Sequence, residues 1–208
     1  MKTSDSKRGA FYNLRSVIAT AMFFLAIAGF PCFVNATHYS MDSLPSGWSV
    51  QGAYSFTVTC ARSYSNWSGS NFFWADATNS IKERYIRTPG LDASGGGNIE
   101  FKMAYGNGSS PCESPDAPKE GVALEYSTDG GTTWIRINYW GATTTQGKWT
   151  TFTSPIPAGA QTGSTMFRWY QEDSSGTNYD SWGVDEIDID IIVGNPPVIR
   201  SEEHTSEL

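Results

Sequence analysis

Two acidic residues, Asp185 and Glu120, lie just before predicted strands, at positions whose side chains are expected to face the core. Asp185 shares the alternation of the isoleucines in 187–191. Glu120 stands in the same phase as the apolar residues in 122–126. An unpaired charge buried at either position is costly, so each carboxylate needs a partner. That partner is an arginine, a set of backbone amides or a divalent cation, and the arginines of the predicted strands are Arg136 and Arg168.

The overall charge limits the classes of partner. The chain has 21 Asp and Glu against 14 Lys and Arg, a net charge of −7. No basic patch offers a footprint for nucleic acid, and the negative charge repels anionic membranes. Clustered carboxylates suit divalent cations, of which Ca²⁺ prefers oxygen ligands.

The chain lacks a set of residues for nucleophilic catalysis. Its two histidines are His38 and His204, and the second lies in a terminal tail. Catalysis of the Ser/His/Asp or Cys/His type therefore has no base. The adjacent Glu172 and Asp173 could be read as a glycosidase acid pair, but a polar loop favours two solvated carboxylates. We expect no enzymatic activity.

Three aromatic side chains are candidates for ligand binding. Trp140, Trp149 and Tyr179 could stack on sugar rings if they are exposed. Packing in the core or at its edge is the alternative, and we favour it.

The elements that would position these groups are centred on a hairpin. Two alternating runs, 122–126 and 135–139, flank a turn that contains Asp129-Gly130, a strong hairpin signal because such turns need φ > 0. The turn matches the Asp-box motif, Ser-x-Asp-x-Gly-x-Thr-Trp, through Ser127, Asp129, Gly131, Thr133 and Trp134. Asp-boxes recur in sialidase propellers, but a propeller needs several blades and this chain has one such turn. A stable hairpin without chemistry of its own is the expected role.

Short β-prone runs continue along the chain. Glycine and proline separate them, and helical periodicity is missing. The predicted fold is all-β, an antiparallel β-sandwich or jelly roll. The predicted strands lie in 54–59, 71–74, 99–105, 122–126, 135–139, 149–152, 166–171 and 187–192.

The two ends are set apart from the domain. Basic residues precede an apolar run, and Val34-Asn-Ala36 has small residues where a signal peptidase reads, so residues 1–36 are predicted to be a secretory signal peptide. The domain is expected over 37–195, with a linker beginning at 196–199. Residues 200–208 match the in-frame translation of a widely used sequencing adapter, and we expect them not to be native. We therefore expect a secreted, extracellular product without membrane insertion.

The cysteines agree with secretion. Cys32 falls within the predicted signal peptide, which leaves Cys60 and Cys112. A disulfide between these two is expected, and two free buried thiols are the alternative. Zinc binding is disfavoured because no second cysteine pair or nearby histidine completes a site.

Spaced motifs follow one another along the chain: Leu91-Asp92, Cys112, Glu120-Gly-Val-x-Leu-x-Tyr-Ser127, Gly131-x-x-Trp134, Phe167-Arg-Trp169 and Asp180-x-Trp182-x-Val-Asp185. Together they resemble a subrepeat of the Reelin repeat over about residues 48–191. The resemblance implies a jelly roll with Ca²⁺ bound at one end by an acid before the last strand and by the N-terminal segment. By this resemblance, Asp185 and Asp42 are the expected Ca²⁺ ligands. Glu120 and Asp180 are further candidates, because of their phase with the neighbouring strands and their proximity to them in sequence. Two departures are the lack of an epidermal-growth-factor-like cysteine cluster and a long loop around Cys60.

The function expected from the sequence is binding or adhesion. The chain would be a secreted, Ca²⁺-stabilised and non-catalytic module of a larger extracellular protein, with a protein or a glycan as its partner. The first alternative is a carbohydrate-binding module attached to an enzyme. The second alternative is a fragment of a sialidase-like hydrolase.

Overall fold

A long strand, β12 (Trp182–Val193), lies at the centre of the larger of two sheets. The computed structural model describes residues 21–27, 30–76, 81–142 and 144–193. Along one side β12 pairs with β7 (Gly97–Tyr105), and along the other it pairs first with β5 (Phe73–Asp76) and then with β2 (Phe30–Tyr39). The other strands of this seven-stranded sheet are β1 (Ala21–Ile27), β4 (Ala53–Ser55) and β10 (Thr150–Pro155).

The second sheet has five strands in the order β3-β6-β11-β8-β9. A short 3-10 turn, Ala158–Ala160, precedes β11. All described strand pairs within the two sheets are antiparallel, so the predicted all-β sandwich is confirmed. The five strands are β3 (Ser49–Gln51), β6 (Arg84–Arg87), β8 (Val122–Ser127), β9 (Ile135–Trp140) and β11 (Met166–Gln171).

Aromatic side chains fill the space between the sheets. Phe101 and Trp169 are fully buried, and the Phe101 ring meets the rings of Trp140 and Trp169 edge-on, each at 5.2 Å between centroids. A second apolar cluster lies on the outer face of the larger sheet, where residues 58–72 cover Trp74 and Trp149. The domain therefore buries side chains on both faces of its larger sheet.

The expected disulfide joins two long loops. Cys60 and Cys112 are bonded, with their Cα atoms 5.7 Å apart and a separation of 52 positions in sequence. Cys60 belongs to the segment that covers the larger sheet, and Cys112 to the loop between β7 and β8. The bond ties both loops to one end of the sandwich.

The Asp-box turn is held by its own side chains. Asp129 Oδ1 accepts from Ser127 Oγ at 2.7 Å and from the Thr133 N–H at 2.9 Å, and its Oδ2 accepts from Thr133 Oγ1 at 2.6 Å. Trp134 Nε1 donates to the Gly131 carbonyl at 3.0 Å. These bonds, the Thr133 hydroxyl first, hold the pKa of Asp129 well below its ordinary value.

Asp129→Asn is expected to lower the melting temperature at pH 7 by a few degrees, because the amide keeps one acceptor but loses the charge. Since the folded-state pKa of Asp129 is depressed, its contribution is present above the unfolded pKa of about 3.9 and is lost as the pH falls below it. Melting curves from pH 7 to pH 2 should show the two proteins converging in acid. The exposed Glu83→Gln is the charge-matched control, and an Asp129→Asn protein that melts like wild type at pH 7 would contradict the prediction.

A β-bulge changes the phase of β12. Its pairing with β7 shifts between Asp185 and Asp188, and Glu186 has φ +47°. Before the bulge Val184 lies opposite the buried Met103, so Asp185, opposite Lys102, lies on the outer face. The inward orientation predicted for Asp185 from the isoleucine phase is therefore wrong.

The predicted ends of the domain are only partly described. Residues 1–20, the proposed linker at 196–199 and the adapter-like residues 200–208 lie outside the described residues. The predicted boundary after Ala36 falls within β2, and residues 37–39 pair with 187–189 of β12. Within the described ranges, no helix has the length and apolar character needed to cross a bilayer.

Candidate metal centre

Three carboxyl groups meet at the end of the sandwich where the loops before β8 and β12 converge. Asp116, Glu120 and Asp180 each offer one oxygen, and these oxygens lie within 4.8 Å of one another. Asp116 is exposed, whereas Glu120 and Asp180 are buried. We refer to Asp116, Glu120 and Asp180 as the acidic cluster.

Glu120 organises the loop that carries two members of the cluster. Its Oε2 accepts from the N–H groups of Asp116 at 2.9 Å and Ala117 at 2.7 Å. Its Oε1 accepts from Ser175 Oγ at 3.2 Å, which connects this loop to the loop before β12. Burial alone would raise the pKa of Glu120, but the two backbone donors outweigh it and the pKa lies below its ordinary value. Glu120 is therefore the charged member.

Asp180 is held in place by a left-handed backbone with φ +57° and by its neighbours. Its N–H donates to Glu113 Oε2 at 2.8 Å, and its Oδ2 accepts from the Ser175 N–H. Its Oδ1 is buried and accepts no hydrogen bond from an N–H or O–H donor of the described residues, and the Glu120 carboxyl group lies near enough to share a proton with Asp180. Burial, reinforced by the negative charge of Glu120, raises the pKa of Asp180 to about 7. A buried carboxylate oxygen without a partner is costly, so Asp180 Oδ1 needs either the proton shared with Glu120 or a cation in its place.

One buried arginine lies beside the cluster and interacts with its charges without bonding to its carboxylates. Arg84 is fully buried, and its Nη2 donates to the Asp180 carbonyl at 2.6 Å rather than to a carboxylate. Burial lowers the pKa of Arg84 to about 10, and the charge of Asp180 opposes that effect. Glu113, Asp116, Glu120 and Asp180 thus set four carboxyl groups against one guanidinium.

The geometry of the cluster suits a hard divalent cation. Ca²⁺ binds oxygen at ~2.3–2.6 Å, so two of its ligand oxygens are at most about 5 Å apart. The 4.8 Å limit within the cluster meets this condition. Because Asp116 is exposed, a cation could reach the cluster from solvent on that side. Water would complete the coordination of the cation.

The other two predicted ligands lie around a different loop. Asp185 Oδ2 accepts from Ser68 Oγ at 2.6 Å, and its Oδ1 accepts from the Glu186 N–H at 2.9 Å. Asp42 Oδ1 accepts from the Asn71 N–H at 2.9 Å. Both carboxylates thus bond to the loop at 68–71, and the structure does not bring them into the acidic cluster, so their shared site stays a prediction. Burial raises the pKa of Asp185 to about 6.

The predicted ligand-binding aromatics divide into two groups. Trp140 and Trp149 are only 6% and 1% exposed, so neither offers a ring face to a ligand. Both pack in the interior against neighbouring aromatic rings, which is the alternative favoured from the sequence, so their candidacy for ligand binding is withdrawn. Tyr179 is 45% exposed. Glu172 is exposed and pairs with Lys119 at 2.6 Å, as a solvated loop residue does.

Sequence reasoning missed the third member of the acidic cluster. Asp116 lies in a long polar loop without periodicity, so no strand phase could assign its direction. Its spacing of four residues from Glu120 was the available signal, because it allows a turn whose amides bond back to the Glu120 carboxylate.

Comparison with known proteins agrees with the architecture. A family model described as Reelin subrepeat B matches residues 60–190. A cleaved adhesin domain of Lys-gingipain from Porphyromonas gingivalis is 16% identical, with a TM-score of 0.53 over 78% of this chain and 99% of that one. A second cleaved adhesin domain of the same protein is 15% identical, with a TM-score of 0.47 over 73% and 94%. A family 29 carbohydrate-binding module is 9% identical, with a TM-score of 0.42 over 74% and 89%. At these identities the likeness extends to the fold alone.

Proposed function

This chain belongs to the Reelin subrepeat B family, and we propose on that premise that it is an extracellular, non-catalytic binding module stabilised by Ca²⁺. The acidic cluster is the proposed ion site. The observation that carries the proposal is the buried Oδ1 of Asp180, which has no N–H or O–H donor among the described residues, beside two further carboxylates within 4.8 Å. A cation would satisfy that oxygen and offset the charge excess at once.

The role in binding or adhesion is supported by three features. The predicted signal peptide and the disulfide agree with an extracellular location. The fold is shared with an adhesin domain. Both ring nitrogens of His38, the histidine within the described residues, are engaged by carboxylates, Nδ1 by Asp188 at 2.8 Å and Nε2 by Glu186 at 3.2 Å, which leaves neither for a nucleophile. A single Asp-box gives no support to the sialidase alternative.

Asp42 and Asp185 form a second proposed cation position. Both oxygens of Asp185 already accept hydrogen bonds, and so do both oxygens of Asp42. The folded chain therefore satisfies these two carboxylates without an ion, whereas Asp180 Oδ1 has no N–H or O–H donor among the described residues. For this reason we place the principal ion at the acidic cluster.

Calcium should raise the melting temperature of the wild-type protein by about 5–10 °C at 100 times its Kd, because that saturation adds ~2.7 kcal/mol of stability. Asp180→Asn should abolish the increase. In EDTA the melting temperature of Asp180→Asn should equal or exceed that of the wild-type protein. The reason is that the wild-type protein then keeps a buried carboxylate without a cation, and the variant does not. Differential scanning calorimetry with Ca²⁺ and with EDTA measures both effects.

Asp185→Asn is the matched control, since it removes a buried carboxylate from the other position. The proposal requires the calcium-dependent increase to survive in Asp185→Asn. If Asp185→Asn loses the calcium-dependent increase in melting temperature and Asp180→Asn keeps it, the ion binds at Asp42 and Asp185 instead of at the acidic cluster. Indifference of the wild-type melting curve to both Ca²⁺ and EDTA would refute the metal assignment altogether.

A further inference from the structure

The outer face of the five-stranded sheet carries a row of tyrosines with one gap. Strand register places Tyr85, Tyr170, Ala123 and Tyr139 side by side on β6, β11, β8 and β9. The small side chain of Ala123 leaves space between Tyr170 and Tyr139, whose strands lie about 9.5 Å apart because neighbouring strands are ~4.8 Å apart. A cleft of about 90 Å³ occupies this space.

The walls of the cleft are fixed before any ligand arrives. The hydroxyl of Tyr139 donates to the Pro118 carbonyl and accepts from the Gly121 N–H at 3.2 Å. The guanidinium of Arg168 lies 4.0 Å from the centre of the Tyr170 ring, and that of Arg136 lies 5.0 Å from the centre of the Tyr139 ring. Rigid walls reduce the ordering cost of binding.

A second row beside the tyrosines gives the face a positive charge. Arg87, Arg168, Glu125 and Arg136 are aligned across the same four strands. Three arginines against one glutamate leave a net of +2 in this row. Adding Glu83, Glu172 and Lys119, which lie around the cleft, leaves +1, in a chain whose net charge is −7. This face therefore favours an anionic partner.

The guanidinium group of Arg136 has N–H donors that are not used in hydrogen bonds to Glu125. Glu125 is neutralised by Arg168, whose Nη2 and Nε lie 2.6 Å and 2.8 Å from Glu125 Oε2. The Arg136 side chain is 53% exposed, and its Nε lies 3.9 Å from Glu125 Oε1, which is beyond hydrogen-bond length. The Arg136 guanidinium, which lines the cleft, can therefore take a second carboxylate in a bidentate pair.

We propose that this cleft binds a carboxylate-bearing sugar residue of a glycan. The C–H faces of the sugar ring would pack between Tyr139 and Tyr170, and its carboxylate would pair with Arg136. The cleft is far smaller than a site for a drug-sized molecule, which suits a single sugar. An acidic peptide offers the carboxylate on a flexible methylene stem, without a ring to pack between the tyrosines. The inference rests on the proposed binding function and names its ligand class.

The direct test uses two sugars that differ only in their charge. Methyl β-glucuronide should shift the amide resonances of Ala123 and Tyr139 in an NMR titration, with a Kd on the order of 1 mM for about a dozen heavy atoms. Methyl β-glucoside should bind at least tenfold more weakly. N-acetylneuraminate is a second probe that distinguishes uronic acids from sialic acids as the source of the carboxylate, and binding of either supports the proposal.

Variants distinguish a site from a change in folding. Arg136→Ala should weaken glucuronide binding at least tenfold, and Arg136→Lys should retain part of it. Ala123→Leu should block binding by filling the cleft, and the exposed Lys148→Ala is the charge control that should bind like wild type. Each variant is first shown to keep the wild-type response of the melting temperature to Ca²⁺.

Equal binding of the glucoside, or unchanged binding in both Arg136→Ala and Ala123→Leu, would overturn the inference. So would tighter binding of N-acetylglutamate amide than of the glucuronide, since that result would indicate a peptide ligand. If no sugar binds while the calcium response of the wild-type protein persists, the ligand class is wrong and the proposed calcium-stabilised module stands.

Discussion

Replacing Trp149 with alanine should lower the free energy of unfolding by about 3–5 kcal/mol, as for other large buried aromatics. Trp149 is 1% exposed, and its ring meets that of Phe72 at 4.9 Å between centroids. Its Nε1 donates to the Ala61 carbonyl at 3.0 Å, so truncation also leaves a buried acceptor unsatisfied. Chemical denaturation followed by fluorescence or circular dichroism measures the loss.

Two variants separate packing from ligand binding. Trp149→Phe keeps an aromatic ring and should lose less stability than Trp149→Ala, while Tyr179→Ala, at a side chain that is 45% exposed, should be nearly neutral. A stable Trp149→Ala protein that had lost glucuronide binding would contradict the buried placement of this ring.

Removing the disulfide is the second change with a large expected effect. The bond closes a loop of 52 residues, for which the chain-entropy model gives about 4 kcal/mol. The double variant Cys60→Ala/Cys112→Ala should lose stability of that order in urea denaturation. Because Cys112 directly precedes Glu113, whose carboxylate accepts the Asp180 N–H, the variant should also bind Ca²⁺ more weakly.

A reductant provides the internal control for the disulfide. Dithiothreitol should lower the urea midpoint of the wild-type protein toward that of the double variant and leave the double variant unchanged. Equal midpoints for the wild-type protein and the double variant without reductant would mean that the bond contributes nothing to stability.

The architecture could be read from the sequence wherever one face of a strand is buried. The alternation in 99–105 and the Asp129-Gly130 turn predicted strand β7 and the central hairpin, and both are present. The phase of Glu120 with the strand that follows predicted its burial. In each case the period of two residues and the turn chemistry are local, so the sequence contains them directly.

Other features depend on contacts that alternation does not encode. The bulge at Glu186 reverses the face that Asp185 occupies, and one inserted residue leaves no periodic signal before the strand is paired. The sequence favours burial of Trp149, but nothing in the pattern shows that residues 58–72 cover it on the outer face. The acidic cluster joins loops far apart in sequence, so only the fold could bring Asp116 beside Asp180.

The central claim is that one calcium ion binds at the acidic cluster. Isothermal titration of the wild-type protein with Ca²⁺ should show a site lost in both Asp180→Asn and Glu120→Gln, with a Kd on the order of 10⁻⁴–10⁻³ M, as in extracellular modules. Asp185→Asn should retain that site. Unchanged stoichiometry and affinity in Asp180→Asn and Glu120→Gln, or no binding by the wild-type protein, would contradict the account.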